Sequence, residues 1–176
     1  LQGRADPPLN ATGQAQAQAL AARVPATVQV IVSSTQLRAR QTAQPAAERL
    51  GLPLVTMAEF RERDFGVLDG LTPAEAAARE PAMWATGGVW QWDAWPEGAE
   101  STHDVVERVR AGLLALQARY AGQEVLLVSH GFTTRALRFW LEGVPRERFF
   151  SAPRLDNGAL MTVPAAQVAQ ALARLR

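Results

Sequence analysis

The sequence has 176 residues, of which 48% are hydrophobic and 20% are charged, a composition typical of one soluble globular domain. It contains no cysteine, which excludes disulfides, thiolate metal sites and cysteine nucleophiles. The net charge of +1 provides no strong field for nucleic acid or anionic membranes, and no apolar run is long enough to span a bilayer. We therefore expect a cytoplasmic protein that binds neither nucleic acid nor membrane.

All 18 basic residues are arginines, and there is no lysine. A P-loop lysine and a Schiff-base lysine are therefore excluded, and a phosphate site must use arginine, histidine or backbone N–H groups. Two histidines without any cysteine do not favour a zinc enzyme, and no Asp-x-Asp cluster indicates magnesium. We expect neither a metal nor a cofactor.

Short apolar runs alternate with longer helical stretches, which predicts an α/β domain with helices covering a central sheet. No repeat or linker divides the chain, so residues 1–176 are predicted to form a single domain. The predicted elements are, in chain order, a helix at 12–23, a strand at 28–34, a helix at 36–50, a strand at 54–57, a helix at 73–79, a helix from a Ser101 cap to about Tyr120, a strand at 124–130, a helix at 132–142, a strand at 159–163 and a helix at 165–175.

The stretch 83–98 is predicted to be irregular and holds four of the five tryptophans, which are Trp84, Trp90, Trp92 and Trp95. These rings could line an apolar wall for a bulky alcohol group, or they could pack the stretch onto the core. The sequence leaves both interpretations open.

The segment VLLVSHGFTTRALRFWL is the first motif that indicates chemistry. An apolar strand ends at His130, and a helix begins after Gly131. Functional groups of α/β sheets gather at the carboxyl ends of strands, where helix N-termini present free N–H groups to anions such as phosphate. Gly131 would allow the backbone to approach a ligand. The alternative is a histidine that only caps the turn.

The segment VIVSSTQLRARQTA repeats this arrangement, because a strand again ends in a polar turn and a helix follows. Arg38 lies in the first turn of that helix, where its guanidinium could bind phosphate oxygens at the same edge of the sheet. The alternative is an ordinary surface ion pair.

The segment EFRERDFGVLDG is an acidic loop after a short strand. Phosphoryl transfer needs a proton donor for the leaving oxygen, and Glu59, Glu62 and Asp64 are all candidates. In LQGRADPPLNATGQAQA, Gln2 and Gly3 precede a turn and a helix. Taken alone, the acidic segment is better explained as a solvated charged loop, and the N-terminal segment indicates only a loop that leads into a helix.

Together these segments, in this order and spacing, resemble the histidine phosphatase superfamily in its phosphoglycerate-mutase-like branch. The resemblance extends along nearly the whole chain, including Glu100, Ser101 and Asp104. It implies an α/β three-layer sandwich with a mostly parallel central sheet flanked by helices. It also places an insert at about 71–100 where the family builds its substrate lid.

The resemblance also assigns roles to single residues. His130 corresponds to the second active-site histidine, Arg38 to the arginine that holds the phosphoryl oxygens, and Glu62 to the carboxylate that shuttles the proton. The remaining matches are substrate-side positions, namely Gln2, Gly3, Gly131 and Asn157.

The chain departs from the family in one respect, because the signature Arg-His-Gly tripeptide does not occur in it. The family's nucleophilic histidine lies in that tripeptide, at the end of the first strand. The other histidine here, His103, falls in a helix cap and is interpreted as a surface residue. Either an N-terminal segment precedes these residues in the whole protein, or the protein is degenerate, and we favour the first explanation.

The predicted function is a metal-independent phosphatase that hydrolyses small phosphomonoesters through a phosphohistidine. The predicted partner is a small phosphorylated metabolite, and a homodimer is left open. One alternative is a phosphoglycerate mutase, which is not favoured because mutases of the family usually carry further insertions. The other alternative is a phosphate-binding pseudoenzyme without a nucleophile.

Overall fold

Three short parallel strands form the centre of the molecule, which is a computed structural model describing residues 1–175. The strands are β1 (Val30–Ser34), β2 (Leu54–Met57) and β3 (Val125–Val128), and their order in the sheet is β2-β1-β3. Strand β1 lies in the middle and is buried along its whole length. Because both faces of a parallel sheet are covered, such strands are apolar throughout instead of alternating. The predicted α/β architecture with a parallel sheet is confirmed.

Helices cover both faces of this sheet. They are α1 (Ala11–Arg23), α2 (Leu37–Leu50), α3 (Pro73–Arg79), α4 (Pro81–Ala85), α5 (Thr102–Tyr120), α6 (Gly131–Glu142) and α7 (Ala165–Leu175). Short 3-10 turns occur at Ala58–Phe60, Gly66–Leu68 and Arg146–Arg148. None of the helices within residues 1–175 is long and apolar enough to cross a membrane.

The alternation of side chains along β1 divides the core into two layers. Ile31 points to one face, where it packs with residues of α1 and α2. Val30 and Val32 point to the other face, where they pack with residues of α5, α6 and α7. The result is the three-layer α/β sandwich that the resemblance implies.

Local signals position the ends of the helices. Helix α2 is capped at its C-terminus by Gly51, which has a φ of 66° and so adopts the left-handed conformation that favours glycine. Helix α5 begins with a capping box in which Ser101 Oγ accepts from the N–H of Asp104 and the Asp104 carboxylate accepts from the N–H of Ser101. These helix limits agree with the predicted ones.

Two predicted elements differ from the structure. The strand predicted at 159–163 does not form, because a strand needs a hydrogen-bonded neighbour and none of the described strands pairs with this segment. Part of the stretch predicted to be irregular is helical, since α4 begins at Pro81 and ends at Ala85. Proline is well tolerated in a first helical turn, where its missing N–H would be unpaired in any case.

Helix α5 packs closely on the turn after β2 at Gly112. A Cβ built on Gly112 would lie 2.8 Å from Glu59 Cβ and 2.8 Å from Phe60 Cζ.

We expect Gly112→Ala to destabilise the fold by about 1–3 kcal/mol, because the added methyl group overpacks this contact. In an open helix interior the same substitution would instead stabilise the protein, since alanine has a higher helix propensity than glycine. Urea denaturation measures this change. The control is Ala111→Gly on the exposed side of α5, which should cost only about 0.5–1 kcal/mol; a more stable Gly112→Ala protein would contradict the close packing.

Candidate active site

His130 lies immediately beyond the carboxyl end of β3 and is the N-cap residue of α6. It is half-buried, and its Nε2 atom is buried without a hydrogen-bond partner among the described residues. Burial and, to a smaller extent, the positive charges of Arg38 and Arg108 together lower the pKa of His130 to about 3. The imidazole is therefore neutral at pH 7.

The Glu62 carboxylate binds the N-terminus of the same helix. Its Oε2 accepts from the N–H of Phe132 at 3.1 Å, and its Oε1 accepts from the N–H of Thr133 at 3.2 Å. The N–H of Arg63 also donates to Oε1 at 2.9 Å. Burial raises the pKa of Glu62 above its usual value, although these three hydrogen bonds and the charge of Arg38 oppose the shift. Glu62 is thus a carboxyl group whose protonated form is favoured more than usual.

The structure separates Glu62 from the two other acidic candidates of its loop. Asp64 accepts from the N–H of Gly66 at 2.9 Å and forms a salt bridge with Arg4 Nε at 2.7 Å. Glu59 packs beside Gly112 of α5. Of the three, only Glu62 lines the cleft that contains His130.

Arg38 lies in the first turn of α2, as predicted, and binds the N-terminal loop. Its Nη1 donates to the carbonyl of Ala5 at 2.8 Å, and its Nη2 donates to the carbonyls of Gln2 and Gly3 at 3.1 and 3.4 Å. Its charge acts on both His130 and Glu62. The structure thus brings Arg38, Glu62 and His130 together at the carboxyl edge of the sheet.

Gln36 fixes the N-terminal loop against the acidic loop, and the sequence reasoning missed it. Its Nε2 donates to the carbonyl of Gly3 at 2.6 Å, and its Oε1 accepts from the N–H of Glu62 at 2.7 Å. The signal for it was a polar residue between a strand end and a helix start, close to the predicted Arg38. The buried side-chain amide of Gln36 therefore fixes the position of Glu62 relative to the N-terminal loop.

Gly3 has a steric role in addition to its predicted place near the substrate. A Cβ on Gly3 would lie 2.4 Å from the carbonyl oxygen of Arg63, so any side chain would push the two loops apart. Gln2 lines the same cleft as His130. At Gly131 a Cβ would stand 3.8 Å from Glu62 Oε2, at ordinary contact distance, so a side chain there would cover the carboxylate.

The tryptophans of the stretch 83–98 divide between packing on apolar clusters and lining the cleft. Trp92 packs against the core that contains Phe139 and Phe149, and Trp84 packs beneath the stretch on a smaller apolar cluster. Trp90 is 39% exposed and lines the cleft. Tryptophan packing therefore holds the stretch in place, while Trp90 is presented to the site.

The cleft itself has a volume of about 1790 Å³. Its lining includes all residues of 123–132, along β3 and the start of α6, and all residues of 154–165 on the opposite side. Asn157 is exposed and belongs to the second of these walls. Within residues 1–175, no three side chains of the metal-ligating types His, Asp and Glu converge on one point.

Arg63 is a second residue that sequence reasoning did not single out. Its side chain is fully buried, its Nη1 donates to the carbonyl of Val89, and its Nε donates to the carbonyl of Glu100. Burial lowers its pKa to about 10, against the charges of Glu100 and Glu62. Arg63, which follows Glu62 in the chain, thus binds one carbonyl within the tryptophan-rich stretch and one just after it. An arginine in a charged loop gives no sequence signal of burial.

We expect the ring of His130 to remain neutral between pH 5 and pH 8 in the ligand-free protein, because its pKa is about 3. Phosphate or vanadate should raise that pKa by giving Nε2 an anionic partner. Ring ¹⁵N chemical shifts, assigned with His130→Gln, measure both states. Titration of His130 near pH 6 without a ligand would show that the histidine is less buried than described.

The family model of the histidine phosphatase superfamily (branch 1) matches residues 1–176. The Bacillus subtilis (strain 168) protein named uncharacterized phosphatase PhoE is 32% identical over 167 residues, which are 94% of this chain and 80% of that protein. Probable phosphoglycerate mutase GpmB of Yersinia enterocolitica is 37% identical over 151 residues, covering 82% of this chain and 68% of GpmB.

Among solved structures, the native mycobacterial glucosyl-3-phosphoglycerate phosphatase Rv2419c matches with a TM-score of 0.80 and 31% identity. The match covers 90% of this chain and 80% of that chain. Fold, motif order and these matches agree, and the chain belongs to branch 1 of the histidine phosphatase superfamily.

Proposed function

We propose that the protein is a metal-independent phosphatase that hydrolyses small phosphomonoesters through a phosphohistidine intermediate. The observation that carries this proposal is the convergence of Arg38, Glu62 and His130 at the carboxyl edge of a parallel sheet, beside the N-terminus of α6. This convergence combines a cation, a proton donor and an imidazole, which are groups that a phosphoryl transfer requires.

The nucleophile is proposed to lie on a further strand beside β3. Within residues 1–175, β3 pairs only with β1, so its other edge faces the cleft. Exposed strand edges are usually covered, because their N–H and C=O groups are unpaired. A parallel strand on this edge would end beside His130. An Arg-His-Gly tripeptide at that end would place its histidine and its arginine in the site.

The proposed reaction has two steps. In the first step the nucleophilic histidine forms an N–P bond while the P–O bond to the alcohol breaks, and Glu62 gives its proton to the leaving oxygen. In the second step Glu62 takes a proton from water, which restores its protonated form, while the water oxygen bonds to phosphorus and the N–P bond breaks. Inorganic phosphate then leaves. The raised pKa of Glu62 supports this role, because a proton donor must be partly protonated near neutral pH.

Arg38 and His130 are proposed to hold the phosphoryl oxygens, where negative charge accumulates. The unpartnered Nε2 of His130 supports this assignment, since a buried polar atom without a partner is costly unless a ligand satisfies it. The similar phosphatase Rv2419c has been solved with VO3 and with inorganic phosphate.

A phosphoglycerate mutase is the second candidate, and the similarity to GpmB favours it. The two activities differ in their products from 3-phosphoglycerate, since a phosphatase releases inorganic phosphate and a mutase forms 2-phosphoglycerate. If the protein has no nucleophilic histidine, it is instead a phosphate-binding pseudoenzyme.

The intact mass of the protein from its natural source tests the nucleophile proposal directly. A mass well above 19.0 kDa, with an Arg-His-Gly tripeptide in the additional residues, is expected. A mass equal to that of this chain would contradict a phosphohistidine mechanism and would favour the pseudoenzyme.

For the natural-source protein we expect phosphatase activity to persist in excess EDTA, because arginine and histidine supply the positive charge. Release of inorganic phosphate from p-nitrophenyl phosphate, with and without EDTA, measures this. Activity that requires added magnesium would contradict the mechanism.

We expect Glu62→Gln to lower kcat by about 10²–10⁴-fold, the usual contribution of a general acid–base group. The control is Glu59→Gln, which changes a carboxylate of the same loop outside the cleft and should leave kcat within about 2-fold. Equal activity of the two variants would remove Glu62 from the mechanism. Circular dichroism confirms that both variants fold.

A further inference from the structure

One ion pair outside the cleft holds the backbone on both sides of Glu62. Arg108, on α5, donates from Nη1 to the carbonyls of Glu59 and Arg61 at 2.7 and 3.0 Å. Its Nε and Nη2 each donate to one carboxylate oxygen of Glu100, both at 2.9 Å. All three nitrogens of this guanidinium therefore have partners, and two of those partners lie in the acidic loop just before Glu62.

Glu100 extends the hold to the other side of Glu62. Its Oε2 accepts from the N–H of Asp64 at 3.0 Å, and its own N–H donates to the carbonyl of Asp64 at 3.1 Å. The acidic loop is thus attached at residues 59, 61 and 64, and Glu62 lies between the points of attachment. Bidentate arginine–carboxylate pairs have a defined geometry, so the Arg108–Glu100 pair fixes the position of the loop as well as attracting it.

The Arg108–Glu100 pair lies outside the cleft that contains His130. The two side chains are 15% and 23% exposed, so water competes little for their hydrogen bonds. The loop's contribution to the cleft is the Glu62 carboxylate, which binds the N–H groups of Phe132 and Thr133. The pair can therefore influence the chemistry through the position of that carboxylate.

We propose that Arg108 and Glu100 are positioning residues for the general acid, which keep the Glu62 carboxyl within reach of the leaving oxygen. This proposal rests on the proposed function, in which Glu62 protonates that oxygen. Misplacing a reacting group by about 1 Å lowers a rate by about 10²-fold, so the attachment of the loop has a direct effect on catalysis. The alternative is an ion pair that only stabilises the fold.

Two phosphate esters with different leaving groups distinguish these roles in the full-length protein. The alcohol of sn-glycerol 3-phosphate must be protonated as it leaves, whereas p-nitrophenolate is a stable anion. The value of kcat/KM reports the first step, in which this bond breaks. We expect Arg108→Gln to lower kcat/KM by about 10²-fold for sn-glycerol 3-phosphate and by less than about 3-fold for p-nitrophenyl phosphate.

Further variants separate position from charge and from folding. Glu62→Gln combined with Arg108→Gln should be as active on sn-glycerol 3-phosphate as Glu62→Gln alone, because Arg108 acts through a carboxyl that is already removed. Arg108→Lys keeps the charge that acts on His130 but lacks the planar fork, and it should still lose about 10-fold. Glu100→Gln changes the other half of the pair with a smaller structural change, and it should show the same selective loss if Arg108→Gln does not fold.

The matched control is Arg138→Gln on α6. Arg138 forms a bidentate pair with Glu142 and also binds the carbonyl of Pro153, and the paired side chains are 18% and 25% exposed. Its geometry and burial resemble those of Arg108, but these partners lie outside the acidic loop. We expect a similar drop in melting temperature and a kcat/KM within about 2-fold of the wild type for both esters.

Amide hydrogen exchange measures the position of the loop without turnover. The N–H groups of Phe132 and Thr133 donate to Glu62, so they should exchange about 10-fold faster in Arg108→Gln and at the wild-type rate in Arg138→Gln. If the full-length wild type hydrolyses neither ester, the proposed phosphatase is wrong, and this exchange decides the positioning role by itself.

Four results would overturn the positioning role. They are an equal loss for both esters in Arg108→Gln, a further loss in the double variant, full activity of Arg108→Lys, and unchanged exchange at Phe132 and Thr133.

Discussion

The bond between the Glu62 carboxylate and the N-terminus of α6 is the interaction on which the site depends. It joins the acidic loop after β2 to the helix after β3, so two strand ends that are not neighbours in the sheet are held at a fixed separation. The free N–H groups of a helix N-terminus stabilise a negative charge, while burial of the carboxylate opposes it. Burial outweighs the hydrogen bonds, so the pKa of Glu62 is raised above its usual value. The same hydrogen bonds hold the carboxylate in the cleft that His130 also lines.

The N-terminal loop depends on a second set of polar contacts from the turn after β1. Arg38 and Gln36 bind its carbonyls, and Asp69 accepts from the N–H groups of Gly3 and Ala5. These contacts use backbone groups of the loop, so they fix its path without constraining most of its side chains. The side chain of Gln2, which lines the cleft, takes part in none of these contacts.

The tryptophan-rich stretch is connected to the same site through Arg63. This arginine lies next to Glu62 in the chain, and it holds Val89, the residue before Trp90. A fully buried guanidinium between aromatic rings is costly unless its donors are used. Here Nε and Nη1 bind carbonyls, Nη2 is buried without a hydrogen-bond partner among the described residues, and the Phe132 and Phe65 rings lie beside the cation. The position of Trp90 and the position of Glu62 are therefore coupled by one side chain.

The sequence by itself determined the family and the parallel α/β pattern, and it predicted Arg38, Glu62 and His130 as site residues, because strand ends, helix caps and motif order are encoded within short segments. Only the tertiary structure decided which of Glu59, Glu62 and Asp64 lies in the cleft, that 159–163 is not a strand, and that Trp92 packs inward while Trp90 lines the site. It also revealed the contacts of Gln36 and Arg63. These outcomes depend on contacts between residues far apart in the chain, and on burial, which shifts pKa values and decides which hydrogen-bond partners a side chain meets. Local periodicity encodes neither of these.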